Sequence, residues 1–156
     1  MDVADLRAAY ERFFAVASAA AGSEAIDAHG WSAAMVVAHI AANDRLMAAH
    51  LRHAVDGLPT RYSNLDVYRA VDLRPIVERT PRVADLIEAG RAASDEFLEL
   101  AEGLEERQAA LAFRTTILDG DAVQVDADLP LAGLLGAQVH VHLPLHTAQI
   151  EALAGA

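Results

Sequence analysis

Residues 129–150 combine an uncharged sequence with a cluster of histidines. This stretch contains no Asp, Glu, Lys or Arg, yet it carries His140, His142 and His146, and Gln149 follows one turn later. A buried imidazole that lacks a hydrogen-bond partner costs about 1 to 3 kcal/mol. The stretch therefore predicts either hydrogen-bonded core histidines or a metal site.

The spacing of these residues suits a metal ion. Residues four apart lie on one face of a helix, so His142 and His146 could direct two imidazoles at one ion, with Gln149 on the same stripe. A third ligand is needed, and His39 is the best candidate because it lies inside the apolar run 35–40. Asn43, one turn further on, could hold the His39 ring by a hydrogen bond, as metal-bound imidazoles usually require.

Other interpretations of the same residues stay open. Each histidine could be a core side chain that bonds to a carbonyl or to water. His140 lies about 200° from His142 around a helix, so we expect it at the surface or hydrogen-bonded rather than as a ligand. Pro144 removes one backbone hydrogen bond between the two candidate ligands and predicts a kink. The alternation over 139–143 would also suit a strand of a cupin-like barrel, although the helical remainder of the chain favours a helix.

Helical periodicity predicts the elements that must position these residues. Apolar stripes predict a first helix over residues 2–21 and a second over residues 33–56. Ser32 is a good N-cap for the second helix, and Trp31 is placed to pack onto Val36.

The middle of the chain carries further helix signals. The sequence 63–66 is typical of a capping box for a short helix through Val71. Thr80 and Pro81 predict the start of a third long helix, which continues through Gly90 and ends near Gly103.

A hairpin and a last helix follow. Asp119 and Gly120 lie between two alternating segments, which predicts a β-hairpin. Asp128 is then expected to cap the last helix, with Pro130 in its first turn. No repeat or linker is visible, so residues 1–156 are expected to form one domain.

Composition narrows the function classes. The 156 residues are 54% hydrophobic with a net charge of −11. This charge argues against nucleic acid or an anionic membrane as a partner, because both bind cationic surfaces. The absence of cysteine excludes thiolate nucleophiles and disulfides. An acidic N-terminus is unlike a signal peptide, so we expect a cytoplasmic protein.

The sequence resembles the DinB/YfiT-like superfamily, which includes the metal-binding domain of mycothiol-dependent maleylpyruvate isomerase. The resemblance rests on Trp31-Ser32, on His39 with its flanking Ala38 and Ile40, and on the run 142–150, and it covers essentially the whole chain. It implies an all-α four-helix bundle with a short extra helix and a small β-hairpin before the last helix.

The resemblance also implies a site and a chemistry. A divalent metal, zinc or nickel, would be bound by His39, His142 and His146, with Asn43 and Gln149 around them. Three neutral ligands leave positions open on the ion, as in catalytic sites. We expect a small-molecule substrate and a thiol-dependent S-transferase or isomerase that uses a low-molecular-weight thiol such as mycothiol, with catalytic residues unassigned. A non-catalytic metal- or ligand-binding bundle, a metal-dependent hydrolase and a homodimeric assembly stay open.

Overall fold

The structure is a computed structural model that describes residues 3–58, 60–68, 70–80, 82–119 and 122–155. The described part is mostly helical and carries one small sheet. Its elements are α1 (Ala4–Ala19), α2 (Ala33–Val55), β1 (Arg61–Ser63), α3 (Leu65–Tyr68), α4 (Ala70–Arg79), α5 (Val83–Glu102), α6 (Glu106–Ala109), β2 (Ala112–Asp119), β3 (Ala122–Pro130), α7 (Leu131–Ala137), a π-helical segment (Gln138–His142) and α8 (Leu143–Ala154).

The long helices enclose the main hydrophobic core. Helix α1 packs against α5 and α8, and α2 also packs against α5 and α8. Gly90 explains how closely α1 approaches α5, because a Cβ atom at this position would lie 2.9 Å from Cε1 of Phe14. The glycine inside the third long helix thus accommodates a buried ring, which offsets its poor helix propensity.

The starts and ends of the long helices agree closely with the predicted ones. Ser32 caps α2 as expected, since its Oγ accepts the N–H of Met35 at 3.3 Å. Helix α5 begins at Val83 and ends one residue before Gly103. Its start is later than the predicted one at Thr80, and Pro81 and Asp2 lie outside the described residues.

The region after α2 differs in detail from the prediction. Ser63 is the last residue of a short strand, and its Oγ accepts the N–H of Leu65 at 3.2 Å. The predicted helix through Val71 is present as α3 followed by the separate helix α4. The side chain of Asp66, which the capping box needs, is not described.

The hairpin is confirmed, and the sheet contains a third strand. Strands β2 and β3 pair antiparallel, and β1 adds to β2 in parallel. The predicted cap at Asp128 is wrong, because this residue lies in β3 opposite Arg114. The ladder holds the chain extended as far as Pro130, which is the N-cap of α7, and the N–H of Leu131 donates to the Leu111 carbonyl at 2.9 Å. Gly120 lies outside the described residues.

The last helix contains a wide turn where a kink was expected. Residues 138–142 are π-helical, and the N–H of Leu143 donates to the carbonyl of Gln138, five residues back. The wide turn ends directly before Pro144, which lies in the first turn of α8 and has no N–H to donate. The strand interpretation of residues 139–143 is therefore wrong. His140 is exposed, as predicted.

Residues 129–150 do not form one continuous α-helix. They are divided between the end of β3, α7, the π-helical segment and α8. Within the described ranges, we find no helix with the length and hydrophobicity that a membrane crossing requires.

Candidate metal centre

The three candidate ligands come from two helices. His39 lies in the buried part of α2 and is only 3% exposed. His142 ends the π-helical segment, and His146 follows in α8, and both are partly buried. Trp31, just before α2, places its ring against two of them, at centroid distances of 5.3 Å from His39 and 6.3 Å from His146.

The three imidazoles converge on one point. Each offers a ring nitrogen, and these nitrogens lie within 4.8 Å of one another. The Nε2 atoms of His39 and His142 are 3.0 Å apart. Two imidazole nitrogens on one tetrahedral zinc ion are about 3.4 Å apart, given a Zn–N bond of about 2.1 Å. The His39–His142 separation is about 0.4 Å shorter than this value, so the cluster is compatible with a single shared ion once these two rings move slightly apart.

Hydrogen bonds orient two of the rings toward this point. Nδ1 of His39 donates to the carbonyl oxygen of Val67 at 2.7 Å. Nδ1 of His146 lies 2.8 Å from Oε1 of Gln149. Because a carbonyl oxygen and an amide oxygen only accept, both rings carry their proton on Nδ1. Their Nε2 lone pairs are left to face the cluster, as metal ligation requires.

Gln149 is itself held by a residue that the sequence prediction missed. Its Nε2 donates to Oδ2 of Asp27 at 2.7 Å. Partial burial acts to raise the pKa of Asp27, but the N–H of Trp31, the amide of Gln149 and the N–H of His29 together lower the pKa below its usual value. Asp27 begins a turn that contains Gly30 at φ +79°, and Asp before such a glycine is a signal that could have found it.

Asn43 does not play the predicted role. The proton on Nδ1 of His39 goes to Val67, whereas Asn43 bonds to Gln138 at 3.4 Å and accepts the hydroxyl of Tyr62 at 2.7 Å. Asn43 lies four residues beyond His39 on α2, and its side chain meets the residue four before His142 rather than His39 itself. Asn43 thus connects the two helices next to the candidate centre.

Asn43 belongs to a buried polar network that the sequence prediction also missed. Oδ1 of Asp44 accepts the hydroxyl of Tyr10 at 2.6 Å and the amide of Gln138 at 3.1 Å. Burial raises the pKa of Asp44 to about 8, against the opposing effects of the Tyr10 hydrogen bond and the charge of Arg45. A protonated acid at neutral pH is consistent with its complete burial. We call Tyr10, Asn43, Asp44, Tyr62 and Gln138 the Asp44 network.

Burial also keeps the three histidines neutral. Burial, followed by the nearby His146, lowers the pKa of His39 to about 3, against the opposing effect of the Val67 hydrogen bond. The pKa of His142 is lowered well below its usual value, first by burial and then by its two histidine neighbours. Burial lowers the pKa of His146 as well, against the Gln149 hydrogen bond. Neutral rings have free lone pairs, which is the state that binds metal.

One ring nitrogen in the cluster has no partner. Nδ1 of His142 is buried and makes no hydrogen bond within the described residues. The contact between His142 and His39 is a hydrogen bond only when His142 carries its proton on Nε2. The arrangement is therefore compatible with a shared proton or with two ligands of one ion.

Comparison with known proteins places the chain in a family. Residues 3–140 match the family described as the mycothiol maleylpyruvate isomerase N-terminal domain. The chain belongs to this family. The DinB/YfiT-like resemblance is therefore confirmed. No curated protein and no solved structure matches the chain.

The matched region does not contain the whole candidate centre. The segment that matches the mycothiol maleylpyruvate isomerase N-terminal domain family includes His39 but ends at residue 140. His142 and His146 follow that limit. Their assignment as ligands rests on their spacing in the sequence and on the convergence of the three rings.

Proposed function

We propose that this protein binds one divalent metal ion, zinc or nickel, through His39, His142 and His146. The observation that carries the proposal is the convergence of three neutral ring nitrogens within 4.8 Å. Imidazole is a suitable ligand for both zinc and nickel. The hydrogen bonds of His39 to Val67 and of His146 to Gln149 support it, because they leave both Nε2 lone pairs free for an ion.

The four-helix bundle of DinB-like proteins is part of this proposal. The packing of α1 and α2 against both α5 and α8 supports it. In such a bundle the ligands project inward from facing helices, which is a common way to build a metal site in helical proteins. The positions of His39 on α2 and His146 on α8 are compatible with this arrangement.

We assign the protein to thiol-dependent S-transfer or isomerisation on a small molecule. When bound, a divalent ion supplies Lewis acidity, which lowers the pKa of a thiol or a water. The chain has no cysteine, so a nucleophilic sulfur must come from a low-molecular-weight thiol. The family name, which contains mycothiol, supports a thiol of this kind. The proposed location is the cytoplasm, where such thiols are abundant.

The protein's own residues would hold and shape the reaction site. The three histidines stay neutral and fixed, and Trp31 covers one side of His39 and His146. Val141 and Leu145, each next to a ligand in the sequence, expose apolar side chains. They would favour a substrate with an uncharged, apolar portion near the centre.

Metal content tests the site. Untagged protein is loaded with zinc or nickel, dialysed and analysed for bound metal beside His142→Ala. We expect about one ion per chain in the parent and a loss of most of it in the variant. Equal metal content in both proteins would overturn the proposal.

Turnover assays separate the reaction classes. Metal-loaded protein is given monochlorobimane or maleylpyruvate with and without mycothiol, and separately an activated ester without thiol. Thiol-dependent turnover that is lost in His142→Ala supports the S-transferase or isomerase assignment. Ester hydrolysis alone would favour the hydrolase, and metal binding without turnover would favour a non-catalytic binding protein.

A further inference from the structure

A single carboxylate lies at the end of a hydrogen-bond chain that leads to the candidate centre. Oδ1 of Asp27 accepts the backbone N–H groups of His29 and Trp31 at 2.8 and 2.9 Å. Oδ2 accepts Nε2 of Gln149 at 2.7 Å, and Oε1 of Gln149 faces Nδ1 of His146 at 2.8 Å. Two hydrogen bonds through Gln149 therefore connect Asp27, in the turn before α2, with a ring on α8.

The direction of every link in this chain follows from Asp27. An ionised carboxylate only accepts hydrogen bonds, so the NH₂ group of Gln149 must point toward it. The amide oxygen of Gln149 then points toward His146 and requires a donor there. His146 must carry its proton on Nδ1, which leaves the Nε2 lone pair toward the centre.

The same carboxylate reaches the centre by a second route. By accepting the N–H of Trp31, Asp27 fixes the turn that precedes α2. The Trp31 ring stacks on His146 with an interplanar angle of 13°. The amide chain and the aromatic contact therefore both hold His146, and Asp27 supports both.

We infer that Asp27 is a positioning residue that sets the tautomer of His146 through Gln149. This inference rests on the proposed metal centre, since only a ligand needs its Nε2 lone pair to be free. Carboxylates commonly orient metal-bound histidines by direct contact. Here an amide side chain is inserted between the carboxylate and the ring.

An Asp27→Asn substitution should reverse the direction of the hydrogen bonds that run from residue 27 through Gln149 to His146. The amide oxygen of the new side chain must stay with the two backbone N–H groups, so its NH₂ group faces Gln149. The Gln149 amide then has to turn over and present its own NH₂ to His146. Nδ1 of His146 becomes an acceptor, and its proton moves to Nε2, where it blocks metal ligation.

The chain also offers a rescue variant and a control. Combining Asp27→Asn with Gln149→Glu moves the carboxylate next to His146 and keeps the net charge. Glutamate at this position accepts from both neighbours, so the proton should return to Nδ1. Glu24→Gln removes one charge from the same loop at an exposed side chain and serves as the control.

The tautomers are measured in metal-free protein at pH 7 by proton–nitrogen correlation spectra of the histidine rings. We expect Nδ1–H for His146 in the parent, in Glu24→Gln and in the double variant, and Nε2–H in Asp27→Asn. An unchanged His146 tautomer in Asp27→Asn would overturn the inference. So would a double variant that fails to fold or that keeps Nε2–H.

Zinc titrations of the same four proteins give a second readout. We expect Asp27→Asn to bind zinc about 10- to 100-fold more weakly, and the double variant to regain most of this loss. If the tautomers switch as expected but none of the proteins binds zinc, the proposed function fails and the role of Asp27 stands. If zinc binds but the His146 tautomer does not switch in Asp27→Asn, the role of Asp27 fails and the proposed function stands.

Discussion

Two polar clusters lie one helical turn apart along α2 and the π-helical segment. The histidine cluster joins His39 of α2 to His142 at the end of the π-helical segment. The Asp44 network joins Asn43 to Gln138, each four residues from one of those histidines. Both clusters are polar groups set in an apolar interior, yet they use their hydrogen-bonding capacity differently.

The difference lies in where the donors and acceptors point. In the Asp44 network, the hydroxyls and amides bond to one another and to Oδ1 of Asp44, although Oδ2 of Asp44 has no partner among the described residues. In the histidine cluster, the bonds of His39 and His146 are made on their outer nitrogens, and the inner nitrogens face each other. Internal pairing joins the helices in the Asp44 network, whereas the converging inner nitrogens of the histidine cluster are available to the proposed metal ion.

Removing one imidazole gives the largest expected effect. His39→Ala deletes one of the three proposed ligands, so we expect zinc affinity to fall more than about 100-fold, beyond the loss that an orienting residue causes. Isothermal titration calorimetry of zinc into metal-free protein measures this change.

Tyr10→Phe is the matched test of the Asp44 network. It keeps the ring and removes the hydroxyl that Asp44 accepts, which should cost about 1 to 3 kcal/mol of unfolding free energy. Zinc affinity should be unchanged. The distinction between the clusters would be wrong if His39→Ala bound zinc normally or if Tyr10→Phe lost it.

The two clusters should also respond to pH with opposite signs. Native Asp44 keeps its proton up to about pH 8, while an unfolded aspartate loses it near pH 3.9. The native state therefore binds more protons in this window, and stability falls as pH rises. The histidines have lowered pKa values, so their contribution is lost as pH falls below about 6.5.

Of the two clusters, only Asp44 should make a pH-dependent contribution to the free energy of unfolding between about pH 6.5 and 8. We expect metal-free protein to lose up to about 1.4 kcal/mol per pH unit there, measured by urea unfolding. The unfolding free energy of Asp44→Asn should not change with pH over this range. Asp95→Asn, on the exposed face of α5, should keep the slope of the parent. A slope that persists in Asp44→Asn would assign it to another group.

The sequence predicts the histidine cluster better than the Asp44 network. His142 and His146 are recognisable because four-residue spacing places two rings on one helix face, and His39 stands out in an apolar run. No spacing rule connects Tyr10, Asp44 and Gln138, which are brought together only when three helices pack. Asp44 follows the apolar run of α2, and this position is the one local sign that its carboxyl group is buried.

The errors made from the sequence have physical causes. Asp128 has the chemistry of a cap, but strand pairing with Arg114 extends through this position and outweighs the local preference. Asn43 has the right spacing from His39, but the ring donates its Nδ1 proton to the carbonyl of Val67 instead. Both errors come from contacts between segments distant in the chain, which local patterns do not encode.

The smallest expected effect tests whether the histidine cluster is limited to three rings. His140 lies two residues before His142, but its side chain is exposed. His140→Ala should leave zinc affinity unchanged and shift the unfolding free energy by no more than about 0.5 kcal/mol, as for most surface substitutions. Calorimetry and urea unfolding measure the two quantities. A loss of zinc affinity comparable to that of His39→Ala would mean that a fourth imidazole reaches the ion. The wide turn at residues 138–142 would then bring both of its histidines to the centre, and burial would no longer separate the ligands from the other histidines.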